Sequence, residues 1–474
     1  MRAGLALLVV LSPACAARRG DPAAGGLRAA ALIEGVPHVE QRPDFCGEAC
    51  AAMYLAKLGH PVTQDQVFGL SGTDPLLGRG AWAVELKRAL GRLGFDVGPV
   101  WYRVERKDAA RALDERFGEL HADLVAGVPS IVCMHFDEAP DTTEHFRLIR
   151  GYDPRADEVI YHEPAEAGGA YRRMKRARFL ALWPLPVDGE TVMVIRLRLA
   201  GRQVVDPPAA GGISDADIAR HMMALAGRIP PGFTVRLARP FVVIGNEDPA
   251  TVTLRAERIV GWTIGMLRRD FFDRDPTEIL DVWLLAGDDD YRRYAKQLFD
   301  DEPETPYGYY SPKDKALIMN IATGGGTLVH EVVHPFVRAN CPSCPPWFNE
   351  GLGSLFEQPA ERDGHIVGLT NWRLRGLQHT IRGGALPAIE TVAAMDDGAF
   401  YRHDDGDNYG QSRYLLYWVQ ERGLLPKFVR AMQARPASDP SGYQAFKQIV
   451  GESDMRAFQK KWEAWVLELK FGDR

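Results

Sequence analysis

The chain has 474 residues, 46% of them hydrophobic and 25% charged, with a formal net charge of -6. That length calls for two or three domains, and that composition belongs to a globular chain rather than a disordered one. The acidic balance, with no long basic stripe, argues against nucleic acid as a partner, and six cysteines are too few for a disulfide scaffold.

Arg2 followed by the apolar run 4–11 reads as a secretory signal over residues 1–20, too short to span a membrane as a mature helix. Ser12-Pro13-Ala14-Cys15 looks like a lipoprotein cleavage box in which Cys15 carries the lipid; ordinary cleavage near 14–17 is the alternative. Either way the expectation is export to the cell envelope or beyond. No later stretch has eighteen uninterrupted apolar residues, so membrane contact is expected only through such an anchor.

Residues 30–200 read as a first domain. It opens on Gln41-Arg-Pro-Asp-Phe-Cys46-Gly47-Glu-Ala-Cys50, followed by a helical pattern to Leu58 closed by Gly59. A thiol at a helix start is stabilised as thiolate by the exposed N–H groups and the dipole there. Gln41 is near enough in sequence to turn its amide toward a developing oxyanion. The segments 128–134, 144–153 and 159–164 read as strands, with His145 opening the second and Glu163 closing the third. Antiparallel pairing of those two would set Glu163 beside His145 and hold the ring in one tautomer. Cys46 as a buried structural thiol, Cys46 paired with Cys50, and a fold that binds peptides without cutting them are the other readings.

This pattern is similar to the papain-like peptidases of the bacteriocin-processing, double-glycine leader type, over about 35–195. The resemblance implies Cys46 as nucleophile, His145 as base, Gln41 as oxyanion donor and Glu163 as orienting carboxylate. Glu163 stands where that family has Asp, and Asp153 is the reserve candidate for the role.

Residues 201–213, rich in Pro, Gly and Ala, read as a linker into a second domain over 214–474. There the expected order is a helix at 215–226, one or two strands over 233–245, a long helix at 251–271, a strand at 278–285, a helix at 289–299 and a strand at 316–320. Gly324-Gly325-Gly326 then lead into Thr-Leu-Val-His330-Glu331-Val-Val-His334. On a helix the two histidines share a face and can grip a zinc ion, with Glu331 placed to take a proton from a water there. Glu350, sixteen residues past His334 in Trp-Phe-Asn-Glu-Gly-Leu, supplies a third ligand if its segment folds back. Three protein ligands leave one position open, which is a catalytic arrangement. Pro335 should kink or end the first helix. Cys341-Pro-Ser-Cys344 between the two segments closes a small disulfide or holds free thiols. Further on, a helix begins near Asn408; Tyr409 or Tyr414 could stabilise an oxyanion or simply pack, His403-Asp404-Asp405 reads as a solvated loop, and 455–470 as a closing helix.

This half resembles the gluzincin metallopeptidases, the thermolysin-like and aminopeptidase-like group, over about 240–474. The resemblance implies His330, His334 and Glu350 as zinc ligands and Glu331 as general base. It also implies that the strand at 316–320 lines the cleft, where a peptide could add as an extra strand. The expected fold class is α+β: a papain-like cysteine peptidase fold joined to a thermolysin-like gluzincin domain, its sheet first and its helices afterwards. The function this predicts is an exported zinc-dependent peptidase acting on peptides or proteins, with an appended papain-like domain that cleaves or only recruits substrate. A catalytically dead surface-binding protein is the reading from another class.

Overall fold

The computed structural model describes residues 28–201, 203–207, 211–402 and 407–471. The leader with Cys15, the stretch at His403-Asp404-Asp405 and part of the 201–213 join lie outside the described residues. Among those described, no helix is long and apolar enough to cross a membrane. The chain forms two compact units that interleave along the sequence. Of the described residues, those up to 42, 46–62 and 82–206 make the first; 43–45, 63–81 and those from 207 onward make the second.

The first unit is built on an antiparallel sheet. Its main strands are β1 (Trp101–Glu105), β2 (Ser130–His135), β3 (Glu144–Asp153), β4 (Glu158–His162), β5 (Arg172–Lys175) and β6 (Thr191–Arg198), in the order β1-β6-β2-β3-β4-β5. Ala31–Leu32 and Leu185–Pro186 pair onto β3 and β6. β3 is buried from His145 to Tyr152, because both faces of this central strand are covered. Helix α1 (Cys46–Lys57) is buried from Gly47 to Leu55, which its run of alanines and apolar residues permits on every side. It lies close against the sheet: a Cβ at Gly47 would meet Leu86 Cδ2 at 2.8 Å and Phe146 Cδ2 at 3.2 Å.

In the second unit the strands are β7 (Thr234–Ala238), β8 (Phe241–Gly245), β9 (Leu280–Leu285), β10 (Gly308–Ser311) and β11 (Ala316–Asn320), in the order β7-β8-β9-β11-β10. β8, β9 and β11 run parallel. Parallel neighbours need crossovers, and helices at 249–270 and Asp288–Phe299, expected at 251–271 and 289–299, lie in them. One expectation is corrected: 316–320 is not an outer strand to which a peptide could add. The four-residue β10 pairs antiparallel with it and takes the edge.

After the sheet come α2 (Gly326–Asn340), α3 (Pro346–Leu355) and α4 (Asp407–Gln420). α2 runs through Pro335 to Asn340 rather than ending there. The missing N–H and the ring clash cost about 3 kcal/mol, but Val332, Val333, Phe336 and Val337 are all within 1% of full burial and hold the helix in the main core of this unit. Cys341 and Cys344 are disulfide-bonded just past its end.

Candidate active sites

In the first unit, β3 and β4 pair with Leu148 opposite His162, which carries Glu163 back to the start of β3. His145 Nε2 and Glu163 Oε1 are 2.5 Å apart, and both side chains are buried. Arg147 Nε donates to Glu163 Oε2 at 2.6 Å, and its other nitrogens donate to the carbonyls of His135 and Phe136. The Ala165 N–H adds a third bond to the carboxylate. Burial alone would raise the Glu163 pKa, but the bonds from His145 and Arg147 outweigh it and the net shift is downward. The carboxylate is thus held ionised, and it ties up Nε2 of His145, leaving Nδ1 as the nitrogen for proton exchange.

Cys46 is the first residue of α1. The Gly47 contact with Phe146, and Cys50 Sγ 3.7 Å from the Phe146 carbonyl, set that first turn against the start of β3, where His145 lies. Cys46 is partly exposed, whereas Cys50 and Cys133 are buried and free. Burial pushes both of those thiols up and keeps them protonated. Cys46 and Cys50 are therefore not paired. The Gln41 N–H donates to the Pro164 carbonyl at 2.8 Å, which places it next to Glu163, and its Oε1 is buried without a partner. Asp153 sits at the far end of β3 and bonds Arg173, well away from His145. Arg147 went unnoticed in the sequence, although its i+2 spacing from His145 on a strand puts both on one face.

In the second unit, α2 and α3 bring three ligand atoms together. One atom each from His330, His334 and Glu350 lie within 4.8 Å of one another. Glu350 Oε2 is 3.1 Å from His330 Nε2 and 3.7 Å from His334 Nε2. Ligands about 2.0–2.1 Å from a tetrahedral ion stand roughly 3.4 Å apart, so the spacing suits a small divalent cation. The remaining ring nitrogens are anchored too: His330 Nδ1 lies 3.2 Å from Glu357 Oε1 and His334 Nδ1 3.0 Å from Asn349 Oδ1. That pins the tautomer in which Nε2 offers a lone pair. α3 approaches closely because Gly353 faces His330, where a Cβ would come within 3.0 Å of the imidazole.

The electrostatics suit a cation as well. Burial alone would push the His330 pKa down, but its bonds to Glu350 and Glu357 hold it up at about 10, so the acids around the ring favour positive charge there and a metal at Nε2 must displace a proton. Burial alone would raise both carboxyls. Instead, His334, His330 and the Tyr401 hydroxyl bring Glu350 to about 2, and Arg373 with His330 brings Glu357 to about 2. Tyr401 Oη donates to Glu350 Oε1 at 2.7 Å. Arg373 grips both oxygens of Glu357, and Asn371 adds a third bond.

Glu331, Tyr310, Tyr401 and Tyr409 line the same cleft of about 510 Å³ as the three ligand residues. Tyr414 is fully buried and bonds the backbone of Asn371, so it packs and does not reach the cleft. Glu357, Arg373 and Tyr401 were not singled out from the sequence. They come from loops and helices distant in sequence, and no spacing rule links them to the His-Glu-x-x-His segment.

Residues 33–186 match the model of the Peptidase_C39 like family. The peptidase domain of Streptococcus ComA, a bi-functional ABC transporter involved in a quorum-sensing pathway, aligns at 19% identity over 35% of this chain and 99% of that domain, with a TM-score of 0.24. A metallopeptidase from Bacteroides thetaiotaomicron aligns at 10% identity over 73% of this chain and 57% of its own, with a TM-score of 0.28. At those TM-scores neither overlap carries weight, and among curated proteins no relative matches. The family match and the antiparallel sheet with Cys46 at the head of α1 give the first unit a papain-like, C39-like cysteine peptidase fold.

Proposed function

We propose that the chain is an exported zinc-dependent peptidase whose papain-like unit is a second, cysteine-based peptidase centre. The observation that carries the first part is the convergence of His330, His334 and Glu350 with both Nδ1 atoms anchored. Export rests on the reading of the leader. Zinc held there would polarise the scissile carbonyl and acidify a water. Glu331, one residue from His330 and facing the same cleft, takes the proton of the attacking water on its carboxylate and returns it to the leaving amine. The edge strand β10 flanks that cleft through Tyr310, so an extended peptide can pair along it. In the first unit Cys46 attacks a carbonyl carbon, His145 takes the thiol proton and later gives it to the leaving amine, and Glu163 with Arg147 keeps the ring oriented.

The test is cleavage of an unfolded protein by the mature wild type, Glu331→Gln and Cys46→Ala side by side, with zinc content measured. Loss of a distinct product set in each variant supports two working centres. If only Glu331→Gln is dead, the papain-like unit recruits substrate. Full activity in Glu331→Gln with zinc bound sinks the metal-centre assignment.

A further inference from the structure

A second cavity in the same unit, about 490 Å³, lies at the N-terminal end of α2. Its wall includes Ile259 and Trp262, from a helix whose middle turns, Ala256–Gly261, are π-helical. Such turns are rare and cluster at functional sites because they re-aim side chains. Its floor is Gly324, Gly325 and Gly326. Side chains there would close it: a Cβ at Gly325 would lie 2.9 Å from Ile259 Cδ1, and one at Gly326 would run into the Glu357 carbonyl. Two large aromatics on its rim stay open to solvent, Tyr307 at 49% and Trp372 at 46%. Trp262 is pinned at its edge by a bond from Nε1 to Glu361.

The cavity and the zinc-ligand cleft are lined by neighbouring residues of the same elements. Gly326 precedes His330 by one helical turn, about 6 Å, and Glu357, which holds His330, forms part of its wall. Tyr307 leads directly into β10, whose Tyr310 lines the cleft. Three residues of strand cover about 10 Å. A peptide lying along β10 from Tyr310 toward Tyr307 would run from the cleft toward this basin.

We propose that the basin is a specificity site for a bulky aromatic side chain of the substrate peptide. This rests on the peptidase reading above and names the substrate class it prefers. Stacking on Trp262, Tyr307 and Trp372 buries an aromatic ring that a smaller side chain would leave unfilled.

The experiment uses the full zinc-loaded chain in a Glu331→Gln background, so that bound peptide is not consumed. An unstructured peptide with one phenylalanine and its alanine counterpart are titrated by tryptophan fluorescence and by calorimetry. The phenylalanine peptide is expected to bind about tenfold or more tightly. That ratio should fall toward one in Trp262→Ala/Trp372→Ala with zinc content unchanged; if the double variant does not fold, Trp372→Ala alone serves, at a half-exposed position. Equal affinity for the two peptides, or an unchanged ratio in the variant, overturns the proposal. The two readings fail separately. Wild-type protein that cuts nothing yet keeps the ratio loses the peptidase reading and keeps the basin. Cleavage with no aromatic enrichment at a fixed distance from the cut does the reverse.

Discussion

Glu357→Gln is the change that most directly probes how the proposed metal centre is held. Glu357 is 6% exposed and both its oxygens are engaged, one toward His330 and Arg373, the other toward Asn371 and Arg373. An amide of the same shape has one acceptor oxygen. If that oxygen faces His330 Nδ1, the NH2 group is driven against the Arg373 guanidinium; if it faces Arg373, two donors meet at His330. Burial leaves little water to relieve either arrangement. Loss of such an outer partner costs metal affinity about 10- to 100-fold, which is roughly 1.4–2.7 kcal/mol. The conflict with Arg373 places the expectation at the upper end. Asn349→Ala, which removes a neutral acceptor from His334 beside an open cleft, should cost less. The assay is zinc competition against a chromophoric chelator on the purified full chain, with circular dichroism and thermal melting to establish that the fold survives. A folded Glu357→Gln protein whose zinc Kd stays within about twofold of wild type would refute the reasoning.

Two further expectations concern the first unit. His162 is fully buried, with Nδ1 accepting from the Tyr171 N–H and Nε2 beside Arg150 and the Val36 carbonyl. Burial, aided by the Arg150 charge, brings its pKa down to about 4 against an ordinary value near 6.5. A depressed pKa contributes stability above the unfolded value that is lost as pH falls from about 6.5 toward 4, on the order of 3 kcal/mol. Urea unfolding followed through this unit should show that loss, and His162→Gln should flatten it; identical pH slopes in the two proteins would count against the assignment. Glu163→Gln removes the charge that orients His145, so iodoacetamide should label Cys46 at least tenfold more slowly at neutral pH. Unchanged labelling would mean that the thiol is not activated through this pair.

Much of the candidate site was legible from the chain alone because its logic is local. His330 and His334 at i and i+4 share a helix face whatever the helix packs against. Cys46 heads a helix because an apolar run begins there, and the strand that carries His145 and the one that Glu163 directly follows announce themselves by length and burial pattern. Tertiary structure decided what depends on cooperation between distant segments. Whether Glu350 reaches His330 turns on α3 packing closely at Gly353. The Glu357–Arg373 clamp, the Tyr401 bond to Glu350 and the edge position of β10 join residues that no periodicity connects. Pro335 shows the same division from the other side. Its local rule breaks a helix, but the rule is worth about 3 kcal/mol, and four buried apolar neighbours outweigh it. Local propensities name the groups that can do chemistry; only packing decides which of them meet.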